Sequence, residues 1–166
     1  MAVTSILFKP LLDKLLELMD AYTDSDGDEV FTIGTKDQGK NFRKRFPQPR
    51  KSIPLGHFPC YFYYVKSHDI NWSSFPNNIM GTVSIRVVFY KQIWDSDKDD
   101  QTLDLYYWAE ELTWLVEGNR RWDGACSDGV QNSKVSSLDF DFTAEGGNWF
   151  MLTDMTIDLL LKIDMV

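Results

Sequence analysis

Two histidines, two cysteines and 25 carboxylates are what this 166-residue chain offers for chemistry. Asp139 and Asp141 share one strand face, as do Asp154 and Asp158. Paired carboxylates of that kind can hold a divalent metal or do acid–base work. The opposite face of each run is apolar, so the simpler expectation is that they face water. A third reading is a small metal-dependent hydrolase using Asp139 and Asp141, but the Glu-x-Lys of one metal-dependent nuclease pattern is absent. His57 and His68 have no neighbouring Cys or His at zinc-ligand spacing. The acidic run Asp24 to Glu29 resembles a calcium loop, but placing Gly27 sixth puts Tyr22 first and Ile33 last, where oxygen ligands belong. No phosphate loop, dinucleotide fingerprint or nucleophile elbow occurs. Cys60 sits in an aromatic run and reads as a small buried residue. No catalytic residue, metal or cofactor is expected.

The sharper signal is charge. Formal net charge is −8. From Lys36 to Lys51 seven basic residues (Lys36, Lys40, Arg43, Lys44, Arg45, Arg50, Lys51) stand against one acid, a net of +6 that leaves −14 on the remainder. Phe42 and Phe46 interleave with these cations. The segment 34–54 therefore reads as a long basic loop, either solvated or an arm that orders on a partner. Two cysteines are too few for a disulfide framework, which suggests a reducing compartment. No apolar run reaches bilayer length and no signal peptide is expected.

The elements that must position these residues follow from periodicity. Leu11, Leu12, Leu15, Leu16, Met19 and Tyr22 form a helical stripe behind Pro10, which is tolerated in a first turn. Val30–Ile33 reads as a short strand. Phe58–Lys66 is an aromatic strand apolar on both faces, and Ser67–Met80 a loop. Gly81–Lys91 alternates cleanly. Leu105, Trp108, Ala109, Leu112, Leu115 and Val116 mark a helix over 101–117, with Asp99 and Asp100 at its start and Gly118 at its end. Trp108 and Trp114 are expected in the core, and Trp72, Trp94 and Trp122 in loops as contact aromatics. Arg120–Ser133 reads as irregular.

A hairpin over 135–165 closes the chain. Leu138, Phe140 and Phe142 alternate with Ser137, Asp139 and Asp141, and Gly146-Gly147 marks the turn. The last strand would be about 50 Å long if unbroken. A bulge near Thr153-Asp154, or a tip projecting beyond the sheet, is therefore expected. The whole is expected to be a single α+β domain, 1–166. Its mostly antiparallel or mixed sheet would carry both helices on one face.

This order resembles the tail terminator and head–tail joining (neck) proteins of long-tailed bacteriophages. They share the amphipathic N-terminal helix, charged loop, aromatic and alternating strands, and acidic turn into a Leu/Trp-rich helix. The closing hairpin ends in Thr-Asp-Met-Thr-Ile-Asp-Leu (153–159). The resemblance covers most of the chain and implies a non-enzymatic virion protein, assembled in the host cytoplasm. It would form a homo-oligomeric ring, a hexamer, on the head-proximal end of the tail tube. Its partners would be further copies of itself, the tail tube protein and a head-completion or connector protein. Genomic DNA would pass the lumen without sequence-specific binding, and no membrane is involved. On this reading Lys36, Lys40, Phe42, Arg43, Lys44, Arg45, Phe46, Arg50, Lys51, Gly146 and Gly147 are the candidate protein-interface residues. The alternative is a non-enzymatic binding module whose basic loop grips an acidic protein or nucleic acid, with Phe42 or Phe46 stacking on bases.

Overall fold

The structure, a computed structural model, describes residues 7–35, 40–71, 78–93, 98–125 and 129–164, with backbone alone at 78, 98–101 and 164. Helix α1 (Phe8–Ala21) buries Leu11, Leu15 and Met19, one residue per turn, and carries Pro10 in its first turn. Strand β1 (Lys44–Phe46) follows, then β2 (Cys60–Asn71), β3 (Asn78–Ile93), α2 (Lys98–Gly118), β4 (Val130–Glu145) and β5 (Asn148–Asp164). The strands form one sheet in the order β1-β2-β3-β5-β4, with only the β1–β2 pair parallel. The fold is α+β.

Both helices lie on one face. Val83, Ile85, Val87 and Phe89 of β3 meet Met155, Ile157, Leu159 and Leu161 of β5 beneath Leu105, Trp108, Leu112 and Leu115 of α2. The odd-numbered residues of β3 and β5 form this core because successive strand side chains point to opposite faces. On the other face a smaller cluster joins Phe46, Phe58, Cys60, Phe62, Val88 and Phe150, with Ile53 packed against it. The segment 47–59 lies over that end of the sheet, so β2 is covered on both faces there, as its aromatic run predicts.

Several expectations need correction. Val30–Ile33 is not a strand. Val30 and Phe31 are buried side by side, and their carbonyls accept from Asn41 Nδ2 at 3.0 Å and Tyr61 Oη at 3.4 Å instead of from a neighbouring strand. The stretch 67–80 is not one loop: β2 continues to Asn71 and β3 begins at Asn78. β4 starts at Val130, inside the stretch expected to be irregular. β5 runs unbroken through Thr153-Asp154, paired residue by residue with β3 from Ile163 to Trp149. The irregularities of the β4–β5 pair sit on β4 instead, between Val130 and Asn132 and between Val135 and Ser137, and β2 carries another between Val65 and Ser67. An edge strand has only one neighbour to keep in register, so a bulge disturbs fewer bonds there. Trp114 is exposed and Trp122 buried, the reverse of expectation. Trp72, Trp94 and Cys126 lie outside the described residues. Asp99 and Asp100 fall inside the first turn of α2, not before it.

The acidic turn is tied to the fold. Asp24 Oδ1 accepts the backbone N–H groups of Asp26 and Asp28, both at 2.9 Å. Its second oxygen accepts Tyr107 Oη of α2. Tyr22 Oη donates to Glu111 Oε2, also on α2, at 2.7 Å. Burial, and then the Glu111 carboxylate, push the Tyr22 phenol up to about 12. The hydrogen bond from Tyr107 holds Asp24 below the usual carboxylate range.

Candidate functional site

The basic segment is not a free arm. Phe42 is fully enclosed in the helix-side core, with its ring 4.4 Å from Trp108, 5.0 Å from Tyr61 and 5.4 Å from Phe89. Phe46 is buried in the cluster on the opposite face, 5.4 Å from Phe62. One aromatic anchors each face, and between them β1 pairs in register with β2, Lys44 opposite Cys60 and Phe46 opposite Phe62. The expectation that Phe42 and Phe46 contact a partner is therefore corrected. Their hydrophobic area is spent inside the chain, and neither ring is presented for stacking.

The cations divide into two groups. Lys40 is paired with Glu29, and Arg45 with Asp20 of α1 at 2.6 Å. Arg43, Lys44, Arg50 and Lys51 have no carboxylate in ion-pair range among the described residues. Among the described residues the Arg43 guanidinium reaches the Gly56 carbonyl, at 3.5 Å. Arg50 lies 4.6 Å over the Phe46 ring, and Lys44 is exposed on β1. Lys36 lies outside the described residues.

Gly146 and Gly147 have φ of 57° and 79°, the pair of positive values that a two-residue type I′ hairpin demands. A Cβ at either would meet nothing within 4 Å. Only the turn requires glycine there. β3 accompanies β5 to Ile93 opposite Trp149, so the tip stands only slightly beyond the last pair. Residues beside the tip, Thr143 and Glu145, meet Arg50 and Lys51 across a recess of about 190 Å³ floored by Phe58, Phe62, Tyr90 and Phe150. The fold thus brings part of the basic segment to the hairpin end.

The residues that sequence reasoning missed lie along β4. Leu138, Phe140 and Phe142 face the helix side, opposite Met155, Thr153 and Met151. They are not covered: Phe142 is 56% exposed, and Leu138 and Phe140 about as open as a surface residue. Tyr106 of α2 touches Phe140 edge-on at 4.8 Å and stops there. Leu103, one turn before Tyr106, and Trp149 beside the tip are also exposed. Further along α2, Trp114 is 70% exposed. The alternation of β4 was readable. That β4 ends the sheet and overhangs α2 was not.

The polar face of β4 carries Asp139 and Asp141, both exposed. Asp139 lies opposite Asp154, whose carboxylate is already held by Arg86, with Arg86 Nε 2.8 Å from Oδ1. Among the described residues no group of three His, Cys, Asp or Glu is placed to hold a metal. Burial pushes the Cys60 thiol up to about 12, which keeps it a protonated core group at neutral pH. His68 stacks on Phe8 at 5.3 Å. Among the described residues no helix is long and apolar enough to cross a membrane.

No protein-family model matches the chain, and no match is found among curated proteins.

Proposed function

We propose that this chain is a structural virion protein, a tail terminator or head–tail joining protein. It closes into a ring on the head-proximal end of a phage tail tube and acts by assembly, not by catalysis. The observation that supports assembly is the uncovered strip of Leu103, Tyr106, Leu138, Phe140, Phe142 and Trp149 along a strand with no outer neighbour among the described residues. Large contiguous apolar patches beside an open sheet edge mark interaction surfaces. The tail-specific part of the reading rests on the resemblance in element order. An acidic surface facing the lumen would let DNA pass without adhering.

The binding-module alternative draws on Arg43, Lys44, Arg50 and Lys51, but it loses the stacking contribution of Phe42 and Phe46. The ring reading is tested by light scattering after size exclusion across a range of protein concentrations, followed by negative-stain imaging. A species near six chains with a central hole, which caps isolated tail tubes and halts their growth, is the expected result. A chain that stays monomeric at every concentration and leaves tube length unchanged would refute the proposal.

A further inference from the structure

Resting on that self-assembling reading, we infer that the contact between copies is head-to-tail. The β4 edge of one copy seats on the β1 edge of the next and continues the sheet. Three features of one chain converge on this.

The first is direction. β1 runs parallel to β2, and every later pairing, β2–β3, β3–β5 and β5–β4, is antiparallel. β4 therefore runs opposite to β1. A rotated copy that keeps its strand direction presents its β1 antiparallel to the β4 of its neighbour, the better-bonded geometry.

The second is charge. Asp139 and Asp141 lie on the open face of β4, with Asp139 opposite Asp154 on that face. Lys44 lies on the same face of the sheet, opposite Cys60, which belongs to the open-face cluster. Continuing the sheet sets unpaired acids and an unpaired Lys44 on one face across the seam, with Arg43 next in sequence. Like charges opposed across strands would instead destabilise a two-fold β4–β4 contact, because it would bring Asp139 and Asp141 of two copies together.

The third is apolar cover. The strip on β4 faces the helix side and is left uncovered by α2, so an added strand with its own helix-side layer would cover it. The two edges lie at opposite ends of the strand order, so β4 and β1 do not pair with each other within one chain. Unlike edges that join head-to-tail close into rings when the rotation closes.

The test is a charge exchange on the full chain. Protein A carries Arg43→Glu and Lys44→Glu, and protein B carries Asp139→Lys and Asp141→Lys. Thermal melts and near-UV circular dichroism of dilute samples verify that both fold. Each alone opposes like charges at the seam, and its half-assembly concentration should rise roughly tenfold or more. Mixed in equal amounts, A and B can alternate, with every seam again complementary, and assembly should return towards wild type. Phe142→Ser should weaken assembly with no change in the melt of the dilute protein. If wild type assembles and A and B separately assemble equally well, the edge assignment is overturned while the ring reading stands. A dimer lost in Phe142→Ser but retained in A would overturn it in favour of a two-fold contact. A wild type that never assembles overturns both.

Discussion

Replacing Phe42 by alanine distinguishes an anchored segment from a docking arm. The side chain has no exposed surface and touches four rings, the farthest being Phe31 at 6.5 Å. Truncating an enclosed phenylalanine costs about 3–5 kcal/mol, because the transfer energy is lost and the surrounding rings close the cavity only in part. Well-oriented aromatic pairs add roughly 0.5–1.5 kcal/mol each beyond their area, which places this site towards the upper end of that range. For a chain of this size the melting temperature should fall by roughly 6–20 °C. Urea denaturation at a concentration where the protein is monomeric reads the effect, with Phe142→Ala as comparator. Phe142 is more than half exposed, so its truncation should cost less than about 1 kcal/mol in the monomer. The reasoning is refuted if Phe42→Ala leaves the unfolding free energy in urea within about 1 kcal/mol of wild type while abolishing assembly. Its ring would then belong to a partner surface and not to the core.

Gly81→Ala should disrupt the β2–β3 pair. Gly81 has φ +150°, and a Cβ there would stand 2.1 Å from the Asp69 carbonyl oxygen and 2.7 Å from Ile70 Cα, both backbone atoms that cannot swing away. A loss above about 2 kcal/mol in urea, or failure to accumulate folded protein, is expected, and a wild-type midpoint would contradict the close approach. A second expectation concerns alkaline pH. Burial pushes the Tyr61 phenol up to about 12, and burial with Glu111 does the same for Tyr22, whereas in the unfolded chain both ionise near 10. The protonated form is favoured by folding, so this stability is complete below pH 10 and is lost as pH rises from 10 towards 12. Tyrosinate absorbance should show these phenols ionising late and together with unfolding. Normal titration of all seven tyrosines with circular dichroism unchanged would count against it.

The pattern of the chain was enough to assign the main elements, though not their exact ends. Helical spacing in α1 and α2, and period-two alternation in β3, β4 and β5, are local geometric facts that need no partner to be read. The Gly146-Gly147 turn is equally local, since positive φ at two successive residues selects glycine. The acid that pairs Lys40 or Arg45, by contrast, lies 11 or 25 positions away in sequence, on Glu29 and Asp20. Such pairs depend on packing, not on spacing.

Phe42 and Phe140 show where that boundary falls. Each is a phenylalanine in a run of charged neighbours, and sequence spacing placed the first in a long basic loop, solvated or ordering on a partner, and the second on the apolar face of a strand. Tertiary structure buried the first and left the second uncovered. The chain at 42 passes under Trp108 and beside Tyr61, so its ring is enclosed. The chain at 140 occupies the last strand of the sheet, where α2 reaches only as far as Tyr106. Composition and periodicity by themselves determined which faces are apolar, because side-chain direction follows from backbone geometry. Whether an apolar face is covered depends on which strand ends the sheet and how far a helix extends across it. Those are long-range choices made by the packing of the whole chain, and only the tertiary structure decided them.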